Sequence, residues 1–251
     1  MRATVPGGVR LVGLVAVCAV ALVSCGGDEQ EPRADLSNSR AVTFPSADGV
    51  ELQGRLFGDG GTAVVLSHMR PADQRSWFDF AQRLADQGYL VLTYDFRGYC
   101  PGGQGGCSQG DQDIAAIWQD VLGAEDFVRS RGAATVALIG ASMGGTASLV
   151  AAGQEGADVR TVVTLSAPES IEGLVADASL LQREQAVNKL FIAGVGDASA
   201  ADSAQHLSEI APLGRLEIVP ADDHGTDLLT GSRGEEVKRL IETYLAQFAP
   251  A

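Results

Sequence analysis

Residues Gly140-Ala141-Ser142-Met143-Gly144-Gly145 constrain this chain more than any other stretch. They follow Thr135-Val136-Ala137-Leu138-Ile139, an apolar run that reads as a buried strand. They precede Thr146-Ala147-Ser148-Leu149-Val150-Ala151-Ala152, which reads as a small-residue helix. A Gly-x-Ser-x-Gly turn between a strand and a helix is the nucleophile-elbow arrangement. Such a turn is sharp enough to strain the serine backbone. It requires Gly140 and Gly144 because a β-carbon two positions either side of Ser142 would collide across it. A helix starting at Ser142 also aims free N–H groups and its positive dipole end at the point where an oxyanion would form. The bland alternative, a glycine-rich turn with an incidental serine, is weighed down by the flanks and by the partner residues found below.

The order of elements around this turn predicts an α/β fold. Ala41-Val42-Thr43-Phe44 and residues 50–57 alternate in polarity around Asp48-Gly49, a hairpin signal. Strands and helices then alternate: a strand over 63–67, a helix over 77–87 stopped at Gly88, a strand over 89–94, and a helix over 113–131 with Ile114, Ile117, Val121 and Val128 on one face. After the elbow come strands at 161–165 and 190–193, a helix near 203–210, a strand at 216–219 and a last helix over 235–248. An antiparallel start followed by βαβα repetition gives a mostly parallel sheet with helices on both faces, and in such sheets active sites gather at the carboxyl ends of the strands. Residues 166–188 leave room for about one helix and its turns, so any cap is minimal; Ile171, Leu174, Val175, Leu180 and Leu181 could cover part of a pocket without sealing it.

The first forty residues read as targeting and tether. Arg2 and Arg10 precede an apolar run over 11–23, too short to span a bilayer comfortably. The run ends in Leu22-Val23-Ser24-Cys25, which resembles the bacterial lipobox, in which the cysteine is lipidated and becomes the first mature residue. The alternative is an ordinary secretory signal with a chance cysteine. On the lipobox reading residues 1–24 are a lipoprotein signal peptide, Cys25 carries palmitate and further acyl chains, residues 25–40 are a disordered tether, and 41–251 form one domain. The protein is then exported and anchored to the outer face of a bacterial membrane. Cys18 leaves with the signal, so only Cys100 and Cys107 remain, and in an oxidising compartment they read as a disulfide. Closing so short a loop contributes only about 2.5 kcal/mol, which points to a loop-shaping role. Without Arg2 and Arg10 the basic count falls from 18 to 16 against 32 acidic residues, a formal charge of −16. That balance argues against nucleic acid and against electrostatic docking on anionic lipid. No phosphate loop, dinucleotide fingerprint or metal cluster is present in the sequence, so neither a cofactor nor a metal is expected. The chain is expected to act as a monomer.

Three histidines could serve Ser142 as a base. His68 precedes the serine, at the end of the third strand, where a structural brace is the better reading. His206 sits in a helical context at the surface. His224 follows the last strand, and the chain order serine, acid, histidine selects it. For the acid, Asp197 closes Gly194-Val195-Gly196-Asp197 after the penultimate strand and is preferred; Asp202, with a helix N-cap as its alternative role, and Glu169 remain open.

Ser67-His68-Met69-Arg70-Pro71, Tyr94-Asp95-Phe96-Arg97-Gly98, the elbow, residues 194–197 and His224-Gly225 together resemble the α/β-hydrolase superfamily over essentially the whole mature region. The single-domain serine-esterase and dienelactone-hydrolase-like branches look nearest. The resemblance implies an oxyanion hole built from the backbone N–H of Met143 and one from the turn after the third strand, with Arg70 the expected donor. The family usually carries His-Gly-x in that turn, and this chain has Met69 at the glycine position. Asp95 and Arg97 are expected to brace the fold. The implied chemistry is hydrolysis of a small-molecule carboxylic ester, or a thioester, through an acyl-enzyme on Ser142. Alternatives are a non-catalytic, membrane-tethered binding module that keeps the fold, and a peptidase, which in this superfamily normally brings an extra domain.

Overall fold

A computed structural model describes residues 1, 2, 4, 36–100 and 107–251. The chain divides into two compact units, Met1–Arg33 and Ala34–Ala251. Met1, Arg2 and Thr4 are the described residues of the first and lie in no helix or strand. The rest of the stretch read as a signal, with Cys18, and Cys25 with the stretch read as tether as far as residue 35 lie outside the described residues; the fold below is that of the second unit.

Its first strands are β1 (Ser39–Pro45) and β2 (Glu51–Phe57), an antiparallel hairpin turning at Asp48-Gly49. The first strand thus begins two residues inside the stretch read as tether, because Ser39 and Arg40 already pair with Phe57 and Leu56. Then come β3 (Thr62–Ser67), α1 (Phe78–Ala85), β4 (Leu90–Tyr94), α2 (Trp118–Ser130), β5 (Thr135–Ala141), α3 (Met143–Ala152) and β6 (Thr161–Leu165). The chain continues through β7 (Ser170–Ile171), β8 (Leu174–Val175), α4 (Ala178–Leu181), β9 (Asn188–Gly194), α5 (Ala198–Ile210), β10 (Gly214–Val219) and α6 (Gly234–Phe248). Eight strands make one sheet in the order β1-β2-β4-β3-β5-β6-β9-β10. The pairings of β1, β2 and β4 are antiparallel and those from β4 through β10 are parallel.

Strands β3, β4, β5, β6 and β9 are buried along nearly their whole length because both faces of the sheet are covered there, and their two-residue period sorts the side chains into two cores. Val65, Val136, Leu138, Val162 and Phe191 face a core shared with Ile117, Val121 and Val128 around α2 and with Ala147 and Leu149 of α3. Val64, Ala137, Ile139, Val163 and Leu190 face the other, shared with Phe80 and Leu84 of α1 and Val237, Ile241 and Leu245 of α6.

Two helices are shorter than expected. The predicted 77–87 helix is α1 preceded by a 3-10 turn at Gln74–Trp77, and the predicted 113–131 helix is α2 preceded by a 3-10 turn at Ile114–Ala116. The segment after β6 holds the one helix foreseen, α4, and also the β7–β8 hairpin, which was not foreseen. Cys100 and Cys107 are joined as a disulfide in the loop after β4, with their Cα atoms 4.2 Å apart. Among the described residues no helix is long and apolar enough to cross a membrane.

Candidate active site

Ser142 occupies the single residue between β5 and α3 and has φ 49° and ψ −120°. A non-glycine residue at positive φ is costly, and the surroundings hold it there. Its N–H donates to the Leu165 carbonyl at 2.8 Å, and its carbonyl accepts from the N–H groups of Gly145 and Thr146 at 2.9 and 3.2 Å. A β-carbon on Gly140 would collide with the Gly144 backbone, and one on Gly144 with the carbonyl oxygens of Ser67 and His68. The two glycines therefore let the turn close on itself and let the end of β3 lie against it. Met143 is the first residue of α3, so no carbonyl one turn earlier in the helix can accept its N–H.

Asp197 stands at the residue before α5, where a carboxylate ordinarily caps the helix. Its side chain makes no cap bond. It accepts instead from the Nδ1–H of His224 at 2.6 Å. Asp197 is 18% exposed and His224 43%, so the bond is sheltered at the acid end while the ring stays accessible. Holding Nδ1 as the donor leaves Nε2 as the nitrogen able to take up a proton. The His224 loop meets the elbow directly: a β-carbon on Gly225 would stand 3.5 Å from that of Ala141, the residue before Ser142. The other two acids lie elsewhere. Asp202 is exposed on α5, and Glu169 accepts from His206 Nδ1 at 2.9 Å, both partners being open to solvent.

The turn after β3 is braced from within. His68 is fully buried; its Nδ1–H donates to the Met69 carbonyl at 2.8 Å and its Nε2 accepts from the Phe96 N–H at 3.2 Å. Burial lowers its pKa to about 4, so the ring is neutral. A peptide's carbonyl and N–H point in opposite directions. Fixing the Met69 carbonyl on His68 thus turns the Arg70 N–H away from His68. Met69, at the position where the superfamily resemblance expects glycine, is buried with its Sδ under Gly225, and so packs the turn against the His224 loop. Asp95 holds the far side of the same turn by accepting from the backbone and side-chain N–H groups of Gln74. Burial pushes its carboxyl up to about 6 even so. Arg97 donates to Asp120 at 2.6 and 2.9 Å and to Asp48 at 2.7 and 2.8 Å, tying the loop after β4 to α2 and to the β1–β2 turn.

Two side-chain partners were not foreseen. The Arg70 guanidinium reaches across to Glu172 at 2.5 Å, and Tyr99 donates its hydroxyl to Met143 Sδ at 3.7 Å. The sequence signal for the first was Glu172-Gly173 between Ile171 and Leu174, a two-residue hairpin turn; for the second there was none.

A hydroxyl on a strained turn, an imidazole oriented by a carboxylate, and free N–H groups at a helix start are the parts that nucleophilic acyl transfer calls on. Among the described residues no three His, Cys, Asp or Glu side chains gather as a metal site. Solved structures share this architecture. An esterase from Pyrococcus furiosus superposes with TM-score 0.66 at 16% identity, over 84% of this chain and 91% of that one. A dienelactone hydrolase from Anabaena variabilis gives 0.67 at 20%, over 84% and 99%. An esterase from Exiguobacterium antarcticum gives 0.63 at 17%, over 82% and 99%. At these identities the likeness is one of fold. No curated protein matches the sequence significantly. The sequence profile of the alpha/beta hydrolase fold matches residues 62–231, and the chain belongs to that family.

Proposed function

We propose that this protein is a serine-dependent hydrolase of carboxylic esters, working through an acyl-enzyme on Ser142. The observation that carries the reading is the strained Ser142 turn lying beside the Asp197–His224 hydrogen bond at one edge of the sheet. In the proposed mechanism Ser142 Oγ attacks the ester carbonyl carbon and His224 Nε2 takes its proton. Asp197 holds the ring and stabilises the imidazolium. The oxyanion rests on the N–H groups of Met143 and Arg70. His224 then protonates the departing alcohol, and water, activated by the same imidazole, releases the acid. Thioesters fit the same steps. The esterase and dienelactone hydrolase activities named for structural neighbours agree with this chemistry. We further propose that Cys25 is lipidated, so that the domain works from the outer face of a membrane on small soluble esters.

A fluorophosphonate probe followed by peptide mapping tests the reading. Ser142 is expected to carry the label, and Ser142→Ala to lose at least roughly 10³-fold of turnover on short acyl esters with an unchanged unfolding transition. Unchanged turnover in that variant would overturn the assignment.

A further inference from the structure

The two strands beside β5 send their following loops over its end. β3 pairs with one side of β5 and β6 with the other. Arg70 lies three residues beyond β3, and Glu172 lies at the tip of the hairpin beyond β6. Their 2.5 Å ion pair therefore crosses above the end of β5, where Ser142 sits. The hairpin is built to hold that position. Glu172 and Gly173 take φ 44° and 90°, a tight two-residue turn that puts Glu172 at the tip. Leu174 is buried, and a β-carbon on Gly173 would rest 3.4 Å from Ala115 on the far side. Tyr99, with its hydroxyl on Met143 at the start of α3, is close enough to feel the charges of both Arg70 and Glu172.

We propose that Glu172 is a specificity-determining residue, whose ion pair with Arg70 crosses above Ser142 and excludes long acyl chains while admitting short ones. This rests on the reading of Ser142 as the nucleophile. Arg70 and Glu172 side chains are 40% and 56% exposed. Pairs so exposed are weak and screened by salt, so the bar opens as ionic strength rises. Chain-length selectivity thus becomes salt-dependent.

The test measures kcat/KM for p-nitrophenyl acetate, butyrate and octanoate, at about 20 mM and about 500 mM NaCl, in the wild type and in Glu172→Gln and Glu172→Lys. Octanoate is expected to gain roughly fivefold in Glu172→Gln and more in Glu172→Lys, with acetate within about twofold. Salt should raise octanoate turnover in the wild type and leave Glu172→Gln flat. Ser142 labelling with an unaltered chain-length profile in both variants overturns the proposal alone. Absence of both labelling and turnover overturns the hydrolase reading and the proposal with it.

Discussion

Asp197 and Glu169 each hold a histidine, and what separates them is where that histidine sits. His224 leads into a glycine packed against the residue before Ser142, whereas His206 stands exposed on α5. Exposed pairs of the second kind contribute little, since solvent screens them. Asp197→Asn is therefore expected to lower kcat roughly 10⁴-fold by presenting the wrong hydrogen-bond partner to Nδ1, and Glu169→Gln to leave it within about twofold. Turnover of short esters, normalised to the labelled fraction of Ser142, separates the two; equal losses would remove Asp197 from its role. The place of Asp197 beside His224 could be anticipated because Gly194-Val195-Gly196-Asp197 turns a carboxylate back over a strand end. The pairing of Glu169 with His206 could not, because it depends on how the segment after β6 lies against α5.

The elbow and the hairpin differ in how far they announce themselves. A buried strand with four apolar residues in a row, two glycines around a serine and a small-residue helix over-determine their junction. The sequence therefore marks the start of β5 correctly and falls short of its end, by two residues, only because Gly140 and Ala141 look like turn. β7 and β8 have two residues each, too few for an alternation to register, and they exist because Leu174 is buried and Gly173 meets Ala115. The closeness of β3 to α3 is likewise invisible until the fold brings Ser67 and His68 onto Gly144. That closeness makes a prediction. Gly144→Ala forces a methyl into the Ser67 and His68 carbonyls and should destabilise the protein by about 1–3 kcal/mol or more, as overpacking does, while separating the serine from the Arg70 turn. Gly61→Ala, where a methyl meets nothing within 4 Å, is the control and should be close to neutral. Urea midpoints together with fluorophosphonate labelling rates check both, and a Gly144→Ala protein that labels at the wild-type rate would contradict the close packing.

At the scale of the whole molecule, three buried groups pull the response of stability to pH in opposite senses. Burial pushes Asp95 up to about 6 from 3.8 and Glu184 up to about 7 from 4.5. The folded chain then keeps protons that the unfolded chain has released, so these two groups make stability fall as pH rises from about 4 to 7. His68 acts in the opposite sense. Burial lowers it from 6.5 to about 4, so the unfolded chain is protonated first as pH drops, and stability rises with pH between about 4 and 6.5. At 1.36 kcal/mol per pH unit, each of these shifts corresponds to about 3 kcal/mol, so two falling contributions oppose one rising one in the same window. His68 and Asp95 each follow one of two neighbouring strands, with Phe96 donating to His68 and Gln74 to Asp95, so the opposition is local. His68→Asn removes the rising contribution, and its stability should fall more steeply than the wild type's between about pH 4.5 and 6. Asp95→Asn removes one falling contribution and should flatten the curve over that range. Urea unfolding at several pH values measures the slopes. Both variants also lose packing and hydrogen bonds, but that loss displaces a curve without tilting it. Curves parallel to the wild type in both cases would mean that neither group titrates across this window in the folded protein.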